Sequence, residues 1–139
     1  MQREIFMRHI ILAAVLWAAS FSPGWADGAA IRTTIQSQIT AFQQDDFDTA
    51  FSYASPNIQR IFGSPDRFGL MVTQGYPMVH RPADIKFLEI ETIQGENWQK
   101  VRMADQQGRY HVMAYRMILL DGQWLINGVQ LLPSEETGV

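Results

Sequence analysis

Between Pro77 and Pro82 the spacing of apolar residues changes from that of helices to that of strands, and this switch limits the chain more than any other feature. Before it, Ile31, Ile35, Ile39 and Phe42 recur on one helical face with Arg32, Gln36 and Gln43 opposite, which predicts a helix from about Ala29 to Gln44. A shorter stripe, Phe47, Ala50, Phe51 and Ala54, predicts a second helix. Ile58, Ile61 and Phe62, and then Phe68, Met71 and Val72, predict two more. After the switch, strands are expected at Ile85–Thr92, Trp98–Ala104, Tyr110–Leu120 and Trp124–Leu132. Their connections are Gly95-Glu96-Asn97, Asp105-Gln106-Gln107-Gly108 and Asp121-Gly122. Helices followed by hairpin-linked strands make an α+β class, with N-terminal helices packed on a curved four-stranded antiparallel meander.

Each expected helix carries its own punctuation. Asp46 fits an N-cap, and Asp48 lies in the first turn against the positive end of the helix dipole. Such a cap contributes about 0.5–2 kcal/mol. Asp45, Asp46 and Asp48 therefore read as a helix boundary. They do not read as a metal cluster, because no calcium-type spacing continues into Thr49-Ala50-Phe51. Ser55-Pro56 and Ser64-Pro65 repeat the signal, with serine as cap and proline at the first helical position. Gly63 and Gly75 are expected just past helix ends, where a left-handed residue is wanted.

Residues 1–26 read as a secretory leader. Arg3 and Arg8 precede the apolar run Ile10–Phe21, and Pro23 and Gly24 precede a site of small residues, so cleavage is expected between Ala26 and Asp27. The run is short for a bilayer span, and no stable membrane anchoring is expected after cleavage. Residues 27–139 then form a single domain in a periplasmic or secreted location. The chain has no cysteine, which excludes both a lipid-modified N-terminal cysteine and disulfides. A formal net charge of −3 gives no basic footprint for nucleic acid.

If Asp121-Gly122 is a two-residue turn, register follows by counting outward. Leu119 then faces Trp124, Met117 faces Ile126, Tyr115 faces Gly128 and Met113 faces Gln130 on one surface. The other surface pairs Ile118 with Leu125, Arg116 with Asn127 and Ala114 with Val129. Both surfaces are largely apolar and one helical layer covers only one, so the second is expected to form a homodimer interface through Arg116, Asn127, Ile118 and Leu125. The turn Asp105–Gly108 leaves the third register open, and with it whether Val101 and Met103 or Arg102 and Lys100 face inward.

The segment Asp45–Phe51, the following Ala54-Ser55-Pro56 and the closing Gly122–Ile126 resemble the nuclear transport factor 2-like superfamily. Ile61–Pro65, Gly75–Val79 and Trp124–Val129 resemble an uncharacterised bacterial group, the domain of unknown function 4864 family, over essentially all of residues 27–139. The resemblance implies a cone-shaped fold with an open pocket between helices and sheet, frequent dimerisation and no assigned reaction. Enzymes of the wider superfamily place an aspartate or an Asp/His pair inside the cone.

Here Glu89 and Glu91 alternate with Leu88 and Ile90 as the solvated side of a strand, and Asp105 and Asp121 belong to turns, so no carboxylate has an obvious interior position. The candidate ligand-binding residues are Tyr76, His80, His111, Tyr115 and Trp124. His111 shares a predicted face with Met113, Tyr115 and Trp124, and His80 lies near Tyr76 at the expected pocket rim. No glycine-rich phosphate loop or metal-ligand spacing is present, so neither cofactor nor metal is expected. The reading that follows is a non-catalytic module binding a small apolar or amphipathic molecule. One alternative is a small isomerase or dehydratase using His111 or His80 with Tyr115 or Tyr76. The other is a purely structural homodimer with a filled core.

Overall fold

The computed structural model describes residues 23–133. Helices α1 (Pro23–Gln43), α2 (Phe47–Ser52), α3 (Pro56–Phe62), α4 (Pro65–Gly75) and α5 (Pro77–His80) precede strands β1 (Asp84–Ile93), β2 (Glu96–Ala104), β3 (Tyr110–Leu120) and β4 (Gln123–Leu131). The strands form an open antiparallel sheet in the order β1-β2-β3-β4, so the class is α+β with the helices N-terminal to the sheet. The leader expected over residues 1–26 lies outside the described residues, except for its last four, which begin α1. That helix starts earlier than its apolar stripe does.

The inner side of α1 is the expected one, with Ile31, Ile35, Ile39 and Phe42 all at most 2% exposed. They pack on Val101, Met103, Met113, Tyr115, Met117 and Ile126, which form the inner face of the sheet. Thr34 Oγ1 donates to the Trp124 carbonyl at 3.0 Å and fixes α1 against β4. The Asp46 carboxylate accepts from Thr49 N, and Ser55 and Ser64 cap α3 and α4 with Pro56 and Pro65 at the helix starts. Gly63 is left-handed at φ 81°, as expected. Gly75, in contrast, ends α4 within the helix, and Tyr76 caps it. The short α5 falls between the last expected helix and the first expected strand, where no element was predicted.

Strand pairing departs from simple counting at two bulges. Leu120 pairs with Gln123 around Asp121 and Gly122, both at positive φ, and the pairs Leu119–Trp124, Ile118–Leu125 and Met117–Ile126 follow as expected. Asn127 is then an extra residue. Arg116 pairs with Gly128, Tyr115 with Val129, Ala114 with Gln130 and Met113 with Leu131, which corrects the expected pairings beyond Ile126. The reason is tertiary: Tyr53–Ser55 runs along the free edge of β4, with Ser55 N donating to the Ile126 carbonyl and Ile126 N to the Tyr53 carbonyl. The Asn127 carboxamide oxygen accepts from Ser55 Oγ at 2.7 Å, so this side chain is tied to the α3 start.

The second bulge, at Leu88-Glu89 in β1, leaves the Leu88 carbonyl to Gln99, whose buried amide nitrogen donates to it at 2.8 Å. The first hairpin turns at Gln94-Gly95, ahead of the expected Gly95-Glu96-Asn97. Ala104 pairs with Tyr110, which puts Val101 and Met103 inward and resolves the open register.

The outer sheet face is less apolar than expected. Lys100 is ion-paired with Glu91, Arg116 Nη1 lies 3.5 Å from Glu96, Arg116 lies over Trp98 and Arg102 over Tyr110. These long side chains cover apolar surface with their stems and keep their charges outside.

Candidate functional site

A cavity of about 410 Å³ opens between the helical layer and the sheet. Phe42 of α1, Ile58 and Phe62 of α3, and Phe68, Met71 and Val72 of α4 form its helical wall, and Tyr76 and Val79 continue it into α5. Tyr115 of β3 and Ile126, Gly128 and Val129 of β4 close the sheet side. Helices this short cannot fill a sheet face by themselves. Aromatic rings brace them instead: Phe68 stands 5.6 Å from Phe42, 5.4 Å from Phe51 and 5.4 Å from Phe62, centroid to centroid. Ile61, 65% exposed, and Val129, 40% exposed, put apolar surface where the wall meets solvent.

Two polar side chains in the wall are deeply buried. Tyr115 is fully enclosed, and its hydroxyl has no hydrogen-bond partner among the described residues. An unpaired buried hydroxyl costs about 1–3 kcal/mol, so it is a feature to be explained. Burial pushes the Tyr115 phenol well above its usual range, which keeps the proton in place. Gln38 is 3% exposed, and its amide nitrogen donates to the Ala50 carbonyl at 3.1 Å.

The five expected ligand-binding residues are not brought together. Tyr76 and Tyr115 stand in the cavity wall, but His80, His111 and Trp124 do not. Trp124 is buried in the core. His80 Nε2 lies 2.7 Å from Asp45 Oδ1, and Arg81 donates to Asp45 Oδ2 at 2.8 Å. The hydrogen bond from His80, followed by Arg81, holds the Asp45 carboxyl below its usual value. His111 Nε2 lies 2.9 Å from Asp105 Oδ2, while Asp105 Oδ1 accepts from the backbone N–H groups of Gln107 and Arg109. His111 first, and the Arg109 N–H next, lower the Asp105 pKa. Gln106 bridges these neighbourhoods by donating to the Arg81 carbonyl.

Both histidines thus tie down the ends of secondary-structure elements. One closes α1 onto α5 and the other closes the β2–β3 turn. Asp45 had been read only as a boundary residue, and its partnership spans a gap in sequence that no local rule covers. Gln38 had not been singled out, although a polar residue inside the stripe Ile31, Ile35, Ile39 was a readable signal. The expected interface residues also divide. Arg116, Ile118 and Leu125 lie on the outer face, while the Asn127 side chain is engaged by Ser55. Among the described residues, no three His, Cys, Asp or Glu side chains are grouped to hold a metal, and no helix is long and apolar enough to cross a membrane.

A cavity between an N-terminal helical layer and an antiparallel meander defines the class: an α+β domain with an apolar interior hollow. The family model described as Domain of unknown function (DUF4864) matches residues 25–139, and the chain belongs to that family. No curated protein and no solved structure matches the chain.

Proposed function

We propose that this chain is a non-catalytic binding module, periplasmic or secreted, whose cavity takes a small apolar or amphipathic molecule. The observation that carries the reading is the cavity of about 410 Å³ itself, within the size range of small-molecule sites and walled almost entirely by apolar side chains. An acid/base enzyme would need a convergent base in that wall. His80 and His111 are instead engaged by Asp45 and Asp105 outside it. A nuclear transport factor 2-like architecture belongs to the same proposal, supported by the order of helices before meander and by the hollow between the two layers. So does a homodimer through the outer face, where half-buried Ile118 and Leu125 offer apolar surface among the charged side chains.

Native mass spectrometry of the processed chain, purified without denaturation, tests the central reading. A dimer carrying the extra mass of a small organic molecule is the expected result. A chain that arrives bare, and that no apolar compound in a screen perturbs at Met71, would count against binding and favour a purely structural role.

A further inference from the structure

Among the described residues, no Asp, Glu, Lys, Arg or His lines the cavity. An ionised group carried inside would lose its hydration and meet no opposite charge. The two buried polar side chains of the wall offer a guest no donor: the Tyr115 hydroxyl is wholly enclosed by protein, and the Gln38 amide nitrogen is committed to the Ala50 carbonyl. Attraction inside therefore comes from burying hydrocarbon against Phe42, Phe62, Phe68 and Met71. The mouth is different. Ile61 and Val129 belong to the wall and are 65% and 40% exposed, so whatever fills the cavity has one end at solvent there. A polar group at that end keeps its water.

Resting on the binding reading of the cavity, we infer that its occupant is an amphiphile with one hydrocarbon tail, the tail held between helices and sheet and a single polar head left in water at Ile61 and Val129. The tail supplies the affinity. The head supplies solubility and is read hardly at all, so heads of either charge are accepted. A chain that is charged at both ends is rejected, because one end would enter a wall with nothing to balance it.

Four ten-carbon probes, used below their micelle concentrations at neutral pH, separate these features: decanol, decanoate, decyltrimethylammonium and decanedioate. The methyl signals of carbon-labelled methionine report occupancy, because Met71 lines the cavity while Met103 and Met113 are fully buried in the core. The first three are expected to shift Met71 with affinities within roughly tenfold of one another, since heads in water feel only screened charges. Decanedioate is expected to bind at least about a hundredfold more weakly than decanoate. Shortening decanoate to octanoate is expected to weaken binding roughly fourfold for each methylene removed. A charge placed at the mouth then locates the head. Ile61→Lys is expected to shift the ratio of affinities toward decanoate and Ile61→Glu toward decyltrimethylammonium, each roughly two- to fivefold at low salt. Ile61 is largely exposed, so both variants keep the core intact.

Decanol binding while both charged chains fail would show that the guest enters whole, and would overturn the head in water. Decanedioate binding as tightly as decanoate would overturn the buried tail. A ratio that neither Ile61 variant moves would overturn the placement of the head at this mouth. If none of the four probes moves Met71, the binding reading of the cavity itself falls.

Discussion

Asp45 sits in the left-handed region at φ 55°, where glycine is the usual occupant. The bonds around it are those of a helix C-terminus closing on itself: Asp45 N donates to the Phe42 carbonyl at 3.0 Å and Asp46 N to the Ala41 carbonyl at 2.9 Å. A carboxylate is tolerated there because His80 and Arg81 meet it, so one residue both ends α1 and anchors α5. Asp105 plays the equivalent part at the β2–β3 turn. Both carboxyls have folded pKa values below the unfolded value of 3.8, so the stability they contribute is fully present above that value and is lost as pH falls through the folded one. Thermal melts followed by circular dichroism are expected to be level at mildly acidic to neutral pH and to decline below about pH 4. The double variant Asp45→Asn, Asp105→Asn is expected to be less stable at neutral pH and to show a shallower acid decline. An unchanged acid decline would remove these pairs as its cause.

Among the elements, the close approach of α2 and α4 depends on a residue without a side chain. A Cβ at Gly69 would stand 2.5–2.7 Å from the Phe47 ring, so Gly69→Ala forces that ring out of place. The expected cost is about 1–3 kcal/mol, read from chemical denaturation. The caps of α3 and α4 offer an internal comparison. Among the described residues Ser64 only caps α4, while Ser55, 1% exposed, caps α3 and also donates to Asn127 at the β4 bulge. Ser64→Ala is expected to cost about 1 kcal/mol and Ser55→Ala about 2 kcal/mol. Equal losses would show that the Ser55–Asn127 link contributes nothing beyond the cap.

For the whole molecule, the sheet has two unlike faces. The inner one is sealed by α1 and hollowed beneath α3, α4 and α5, where the cavity lies. The outer one is crossed by Lys100, Arg102 and Arg116, whose charges restrict what can be buried against it. A homodimer through this face is expected to sediment as a single species of twice the chain mass at micromolar concentration. Ile118→Glu with Leu125→Glu is expected to convert it to a folded monomer. For the proposed leader, the intact mass of the chain expressed from its full sequence is expected to correspond to cleavage before Asp27. Retention of residues 1–26 would refute the leader.

What the sequence by itself determined is the set of features governed by neighbours within a few positions: the α1 stripe, the caps at Asp46, Ser55 and Ser64, the left-handed Gly63, the Asp121-Gly122 turn and the α+β order of elements. Each depends on backbone donors, dipoles and periodicity that the local sequence carries whole. The α5 turn escaped notice because four residues display no periodicity. Only the tertiary structure decided the bulges at Leu88-Glu89 and Asn127, since each is stabilised by a partner far along the chain, Gln99 in one case and Ser55 in the other. That single extra residue at Asn127 moves Val129 onto the cavity side of the sheet. What was legible is where Tyr76 and Tyr115 stand in the cavity wall, one near the expected rim and one on the inner face of the sheet. The positions of His80 and His111 outside that wall were not legible, because where a histidine lodges is set by which carboxylate folding brings within reach. The cavity could not be read at all: it is the space left where short helices fail to cover a sheet, and no residue spells it.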